Sequence, residues 1–312
     1  MLGIPESLAD DEAPGPVVIV ETIAALRAAC SAARGTGASI GLVPTMGYLH
    51  EGHRTLMRAA RAQHDLVVLT IFVNPLQFAP SEDLATYPRD LARDLEAATA
   101  EGVDIVFTPS VSEMYPEPTL TTVHVDQLTE GLCGAERPSH FDGVTTVVTK
   151  LFSIVGPCTA YFGRKDAQQL AVVTRMARDL NLPVSVVGCP LVREADGLAM
   201  SSRNAHLTPE QRANAVVLSR SLEHAAAAIT SGVRRAADVR AAIQGVVETV
   251  PAAEIEYIEV RDAETLLEVT AVEGRVLVAV AARVGATRLI DNMTVTVDGP
   301  NVDCDLGVRT GA

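Results

Sequence analysis

The sequence predicts an α/β protein in which a doubly wound parallel sheet precedes a smaller C-terminal α+β domain carrying an antiparallel sheet. Unbroken β-branched runs such as "LVVLTIFV" (residues 66–73) suit strands covered on both faces. Strand-like and helix-like segments alternate up to about Pro190, the grammar of parallel βαβ units. Beyond Pro190 two Ala-rich helical segments lead into adjacent strands, which implies an antiparallel sheet. The 312 residues suffice for two domains of ordinary size. The expected division is a disordered tail over 1–16, a first domain over 17–190, a second over 191–298 and a loose tail over 299–312.

Taken in order, an apolar-periodic segment at 18–30 precedes the first expected strand at 39–43. A helix follows over 53–63 with Leu56, Met57 and Ala60 on one side, then the 66–73 strand. After a polar loop come a helix at 89–101 and the strand "VDIVFTPS" (103–110). "VTTVVTKLFSIV" (144–155) reads as a helix by length and period, although its β-branched content also suits a strand. "TAYFG" (159–163), a helix over 166–180 and "VSVVG" (184–188) complete the first domain. The second contains helices over 209–231 and 234–250, then strands over 254–260, 275–282 and 287–297, the last two joined by a tight turn at Gly285.

Composition excludes several classes. A net charge of -14 without any basic run argues against nucleic-acid binding, and aromatics at 4% with no Trp leave few stacking platforms. The five cysteines (Cys30, Cys133, Cys158, Cys189, Cys304) form no C-x-x-C pair, so they are expected to be buried small hydrophobes. The longest apolar run falls far below the roughly 18 residues of a membrane helix. With no signal-peptide pattern at the N-terminus, the expected location is cytoplasmic.

The segment "TMGYLHEGHRTL" (45–56) lies just after a strand, where open α/β sheets bind ligands. A helix starting at His50 or His53 would aim free N–H groups at that crevice, as a phosphate chain requires. Gly47 would permit the sharp turn, and Gly52 would let a ligand lie close. Three readings of His50 and His53 stay open here: a metal pair, which lacks the H-E-x-x-H spacing; two solvated or capping residues; and a phosphate grip. A second segment, "LAMSSRN" (198–204), offers two hydroxyls and a guanidinium to phosphate oxygens.

Together, H-x-G-H and the S-S-R segment resemble the paired signatures of the nucleotidylyl transferase superfamily, with a Rossmann-like sheet. "FVNPLQF" (72–78), "YPRD" (87–90), "RPSHFDGV" (137–144), "YFGRKDAQQL" (161–170) and "VREADGLAMSSRN" (192–204) resemble the pantothenate synthetase family, in one order from about Ile40 to Asn292. The resemblance implies a ligase that joins pantoate to β-alanine using ATP and Mg2+, through a pantoyl adenylate, with release of AMP and pyrophosphate. It implies catalytic roles for His53, His50 and Lys165, with His53 the proton donor. It places the nucleotide against Met46, Gly47, His50, His53, Gly163, Lys165, Asp166, Val192, Met200, Ser201, Ser202 and Arg203. Gln77 and Gln169 carry over as pantoate ligands, Gln77 also as a β-alanine ligand, and Asp94 as an acidic residue near the metal; the competing reading of Asp94 is a surface helix carboxylate. A homodimer is implied too, with small-molecule substrates and neither nucleic acid nor membrane as partner.

The segment 74–88, and with it the second domain carrying 201–203, is expected to close as a lid that shields the adenylate. Two positions depart from the family pattern: Arg164 where an acidic residue is usual, and Ala167 where an aromatic is usual. They leave an alternative reading, a nucleotide-binding relative with impaired or altered catalysis.

Overall fold

The computed structural model describes residues 17–78, 84, 85 and 87–311. The expected tail over 1–16 and the middle of the proposed 74–88 lid lie outside the described residues. The chain opens with β1 (Val18–Val20) and α1 (Ile23–Gly35), which Thr22 caps by accepting from Ala25 N at 3.3 Å. Here the apolar segment at 18–30 divides into two elements. Three strand residues run directly into a helix, so one continuous apolar pattern conceals the boundary.

Next come β2 (Ile40–Thr45), α2 (Glu51–Arg61), β3 (Leu66–Ile71), α3 (Leu91–Ala100) and β4 (Ile105–Phe107). The short helices α4 (Val111–Met114) and α5 (Cys133–Glu136) lead to α6 (His140–Val155), β5 (Cys158–Gly163), α7 (Ala167–Asp179) and β6 (Val184–Cys189). Segment 144–155 is thus helical, because its apolar residues pack inward at helical spacing.

The six strands form one parallel sheet in the order β1-β4-β3-β2-β5-β6. From β2 the chain winds outward through β3 and β4, then returns to lay β5 and β6 on the other side. The carboxyl ends of β2 and β5 therefore border the switch point, where such sheets bind ligands. Leu26 of α1, Phe152 of α6 and Val172 of α7 share one core, while Met57 of α2 and Ala98 of α3 belong to a core on the opposite face.

After the two-residue β7 (Val192–Arg193) the second region begins with α8 (Pro209–Ala215) and α9 (Val217–Thr230). These replace the single helix expected over 209–231, with an interruption at Val216. Then follow α10 (Ala236–Val247), β8 (Ala253–Asp262), β9 (Gly274–Val284) and β10 (Thr287–Asp298). Gly285, at φ +60, makes the turn between the last two. Alternation along β9 sends Val276, Val278 and Val280 toward α9 and α10, and Leu277 and Ala279 toward the first region's core.

Of the loose tail expected over 299–312, the described residues 299–311 instead carry two strands paired into sheets. β11 (Asn301–Asp305) pairs antiparallel with β10, and β12 (Val308–Arg309) pairs in parallel with β7. The first pairing covers the N–H and C=O groups of an exposed sheet edge. Gly307, at φ +84, packs so closely that an added Cβ would lie 2.2 Å from the carbonyl oxygen of Leu191. All five cysteines are free; Cys30 and Cys189 are buried as expected, whereas Cys133, Cys158 and Cys304 are half-buried.

Candidate active site

The turn leaving β2 is built around Gly47 and Asp94. Gly47 sits at φ +82, and an added Cβ would fall 2.9 Å from both Asp94 Oδ2 and Ile71 Cγ2. Tyr48 follows at φ +50, a left-handed conformation that a non-glycine residue holds only under constraint. The constraint is the Asp94 carboxylate, which accepts from Tyr48 N at 2.8 Å and Leu49 N at 2.7 Å. Asp94 is 1% exposed. Burial raises its pKa, and these two N–H donors oppose the rise. Asp94 is therefore not the surface carboxylate of the competing reading, and both of its oxygens accept from the backbone of the turn. Gly47, also expected to meet the nucleotide, shapes the turn and does not line the cleft.

This turn delivers His50 to the N-cap of α2 and His53 to its first turn, with ring centroids 4.0 Å apart. The backbone N–H of His50 donates to His53 Nδ1 at 3.3 Å. A nitrogen that accepts carries no proton, so in the neutral ring the proton sits on Nε2. Burial pushes His53 down to about 4, with Asp166 raising and Lys165 lowering it. Burial, then His53, Lys165 and Arg93, push His50 down to about 2. Both imidazoles are neutral near pH 7. Gly52 is constrained by the protein itself: an added Cβ would come within 3.0 Å of the His50 ring.

Across the switch point, Gly163 ends β5 and a single 3-10 turn (Arg164–Asp166) presents Lys165 and Asp166. Asn292 of β10 holds this turn, donating through Nδ2 to Lys165 O at 2.8 Å and to Arg164 O at 3.1 Å. Next to it, buried Asp291 forms a two-pronged pair with Arg193 at 2.6 and 2.9 Å. Arg193 NH1 also donates to Gly197 O, and Met200 N to Val192 O. One strand of the second region thus anchors both the lysine turn and the segment leading to Ser201. Ser202 is buried and donates to Tyr48 O at 3.4 Å, which brings the S-S-R segment against the histidine turn.

These elements enclose a cleft of about 220 Å3. Met46, His50 and His53 line it from the first turn; Gly163, Lys165, Asp166 and Gln169 from the second; Val192, Met200, Ser201, Ser202 and Arg203 from the third. Gln77 lines it as well, from the turn Pro75–Gln77.

Sequence reasoning gave no role to the groups that fix Gln77. Its carbonyl accepts from His140 Nδ1 at 2.8 Å and Arg137 NH2 at 3.3 Å, while Asn74 Nδ2 donates to its Oε1 at 3.3 Å. Asn74 is held by Tyr115 OH at 2.9 Å and reaches Gly143 O at 3.0 Å. Gly143 lets α6 approach this turn, since an added Cβ would lie 2.3 Å from Leu76 O. The "RPSHFDGV" motif carried that signal without its meaning. Buried Gln168, beside the expected Gln169, bonds Leu128 O, Gly131 O and Cys133 N instead of a ligand.

Among the described residues no group of three or more His, Cys, Asp or Glu side chains is placed to hold a metal ion. Asp166 is the acidic side chain that lines the cleft, 3.6 Å from Lys165 Nζ. A protein-built Mg2+ cage is not formed, and a hard cation there would take most of its oxygens from the nucleotide and water.

A parallel sheet whose switch point sets a helix-start histidine pair against a lysine turn and a hydroxyl-rich segment defines a nucleotide-binding enzyme of the nucleotidylyl transferase type. Within that class, residues 18–294 match the model of the pantoate-beta-alanine ligase family, and the chain belongs to it. A pantothenate synthetase from Moorella thermoacetica is 56% identical over 280 residues, spanning 90% of this chain and 99% of the relative. The crystal structure of pantothenate synthetase from Thermus thermophilus superposes with a TM-score of 0.84 at 47% identity, over 88% of this chain and 98% of that one. Pantoate-beta-alanine ligase from Francisella tularensis, crystallised with beta-gamma ATP and beta-alanine, gives 0.74 at 31% identity, over 88% and 97%.

Proposed function

We propose that the chain is an ATP-dependent ligase that condenses pantoate with β-alanine through a pantoyl adenylate, releasing AMP and pyrophosphate. The observation that carries this is the convergence of His53, Lys165, Ser201, Arg203, Gln77 and Gln169 on one cleft at the switch point. The family match and the relatives' names support the same reading.

In the first step a pantoate carboxylate oxygen bonds to the α-phosphorus as the bond to the β-phosphate's bridging oxygen breaks. Charge accumulates on phosphoryl oxygens, so the chain must supply donors and cations in fixed positions. Lys165 and Arg203 supply charge, Ser201 a hydroxyl, and neutral His53 an Nε2–H, while Ser202 holds the hydroxyl-rich segment against Tyr48 O. Gln77 and Gln169 each donate and accept, matching a substrate that bears two hydroxyls and a carboxylate. In the second step the β-alanine amine attacks the acyl carbon and AMP leaves. Asp166 would be the protein contact of a Mg2+ carried by the triphosphate, which would offset charge on the phosphoryl oxygens.

Val192 and Met200 form the adenine side. The second region, which carries Ser201, Ser202 and Arg203, shields the adenylate from water. A homodimer rests on the family resemblance; among the described residues no helix is long and apolar enough to cross a membrane. Incubation with pantoate, β-alanine, ATP and Mg2+ should yield AMP and pyrophosphate in equal amounts, each dependent on pantoate. Release of ADP and phosphate would overturn the adenylate route.

A further inference from the structure

Beside the cleft lies a second cavity of about 830 Å3, between the segment 132–141 and the faces of β8, β9 and β10. The two spaces share the phosphate-facing residues Lys165, Asp166, Ser201 and Arg203, and also Arg137, His140 and Gln169. Gln77, Val192 and Met200 border the smaller space and not the larger. The larger cavity therefore adjoins the phosphate side of the proposed nucleotide, away from adenine and from Gln77, with Gln169 on the border between the two spaces.

In a chain of net charge -14 its far wall carries a guanidinium in an unusual setting. Arg288 is 16% exposed, and its Nε bonds Glu256 Oε2 at 2.6 Å. Glu256 also pairs with Arg283 Nε at 2.9 Å, so two cations share one carboxylate. The terminal nitrogens of Arg288 meet Cys133 Sγ at 3.5 and 3.6 Å, and Cys133 is itself 3.3 Å from Tyr257 OH. A thiol is a weak acceptor, whereas two parallel guanidinium N–H groups match two oxygens of a phosphate.

We infer that this cavity is the receiving chamber for the leaving pyrophosphate, with Arg288 as its oxyanion-binding residue. The inference rests on the adenylate-forming reading. As the carboxylate oxygen bonds to the α-phosphorus, the electron pair of the breaking bond departs with pyrophosphate on the face opposite the attack. Pantoate sits between Gln77 and Gln169, and with its carboxylate approaching from the Gln77 side, departure is directed past Lys165 and Arg203 into the chamber. Arg288 then draws the product off the phosphate grip, and β-alanine can attack without reversal of the first step.

Two measurements test this. Product inhibition by inorganic pyrophosphate should weaken about tenfold or more in Arg288→Gln, the usual scale for a lost charge-assisted bond, with KM for pantoate unchanged; Arg288→Lys should fall between. In the unsubstituted enzyme, inorganic pyrophosphate alone should slow carbamidomethylation of Cys133 by iodoacetamide relative to Cys304. An unchanged inhibition constant in a folded Arg288→Gln overturns the proposal. If that variant does not fold, the cysteine measurement decides, and equal effects at Cys133 and Cys304 overturn it. Absence of pantoate-dependent pyrophosphate release would overturn the proposed reaction instead, and it leaves the binding of added pyrophosphate separately measurable.

Discussion

The backbone N–H of His50 points at Nδ1 of His53 across 3.3 Å, and this bond decides what His53 offers a substrate. With Nδ1 accepting, the neutral ring presents Nε2–H. Glutamine places an amide N–H near that position and asparagine does not. His53→Ala and His53→Asn should each lower kcat by about 10²–10³, the cost of losing one donor to developing charge. His53→Gln should retain a measurable part of the activity. Equal losses in all three, read by steady-state kinetics, would reject hydrogen-bond donation from Nε2.

The same burial sets a pH signature. Without nucleotide, the His53 ring should titrate near 4 rather than 6.5 by NMR, and His50 lower still, near 2. Unfolded histidines bind protons below 6.5 while these folded ones do not. The unfolded state then holds more protons, so stability falls as pH drops from about 6.5 toward 4 and is unaffected by these groups above 6.5. Bound triphosphate should move both midpoints upward, because negative charge favours the imidazolium. A His53 midpoint near 6.5 in the free enzyme would contradict the buried neutral ring.

Asp94 acts through the turn it braces. In Asp94→Asn one amide oxygen remains to accept, while the NH2 confronts the second backbone N–H. One buried donor is left without a partner, a cost of about 1–3 kcal/mol. Thermal unfolding should show that loss, and kcat should fall because His50 and His53 hang from the same turn. Affinity for Mg2+ in the free enzyme, measured by calorimetry, should be unchanged; a large loss would restore the metal role.

Asn292 links the second region to the lysine turn. Asn292→Ala leaves the carbonyls of Arg164 and Lys165 without their donor. We expect kcat to fall about tenfold or more through misplacement of Lys165, since small displacements of a positioning group are costly. Pantoate KM should change little, because Gln77 is held by separate partners. Asn292→Asp should be worse, as a carboxylate facing two carbonyl oxygens repels them.

Local pattern made much of this legible. The runs at 66–73 and 103–110 read as strands because their short, β-branched apolar stretches suit cover on both faces, and β3 and β4 are buried there. His50, Lys165 and Ser201 could be named because their motifs, taken together and in one order, resemble one family, whereas each motif alone left other readings open. What stayed hidden depends on long-range pairing. Asp94 looks like any helix carboxylate until the turn at Gly47 folds onto it, and Asn292 sits 127 residues from the carbonyl it holds. Polar residues 301–305 read as tail because a strand on a sheet edge needs little apolar content once its partner exists.

That last segment also bears on Arg164, where the family pattern has an acidic residue. Arg164 NH1 pairs with Asp305 Oδ2 at 2.9 Å, and Asp305 lies on β11, beyond the matched range 18–294. Both side chains are about a third exposed, so a double-mutant cycle of Arg164→Ala and Asp305→Ala should give a coupling of about 0.2–1 kcal/mol. The lysine turn is held by Asn292 through backbone carbonyls, which this side chain does not touch. Arg164→Glu should therefore bring no gain in turnover and should lose stability, because it sets two carboxylates together. A marked rise in kcat for Arg164→Glu would support the alternative of a relative impaired at this position.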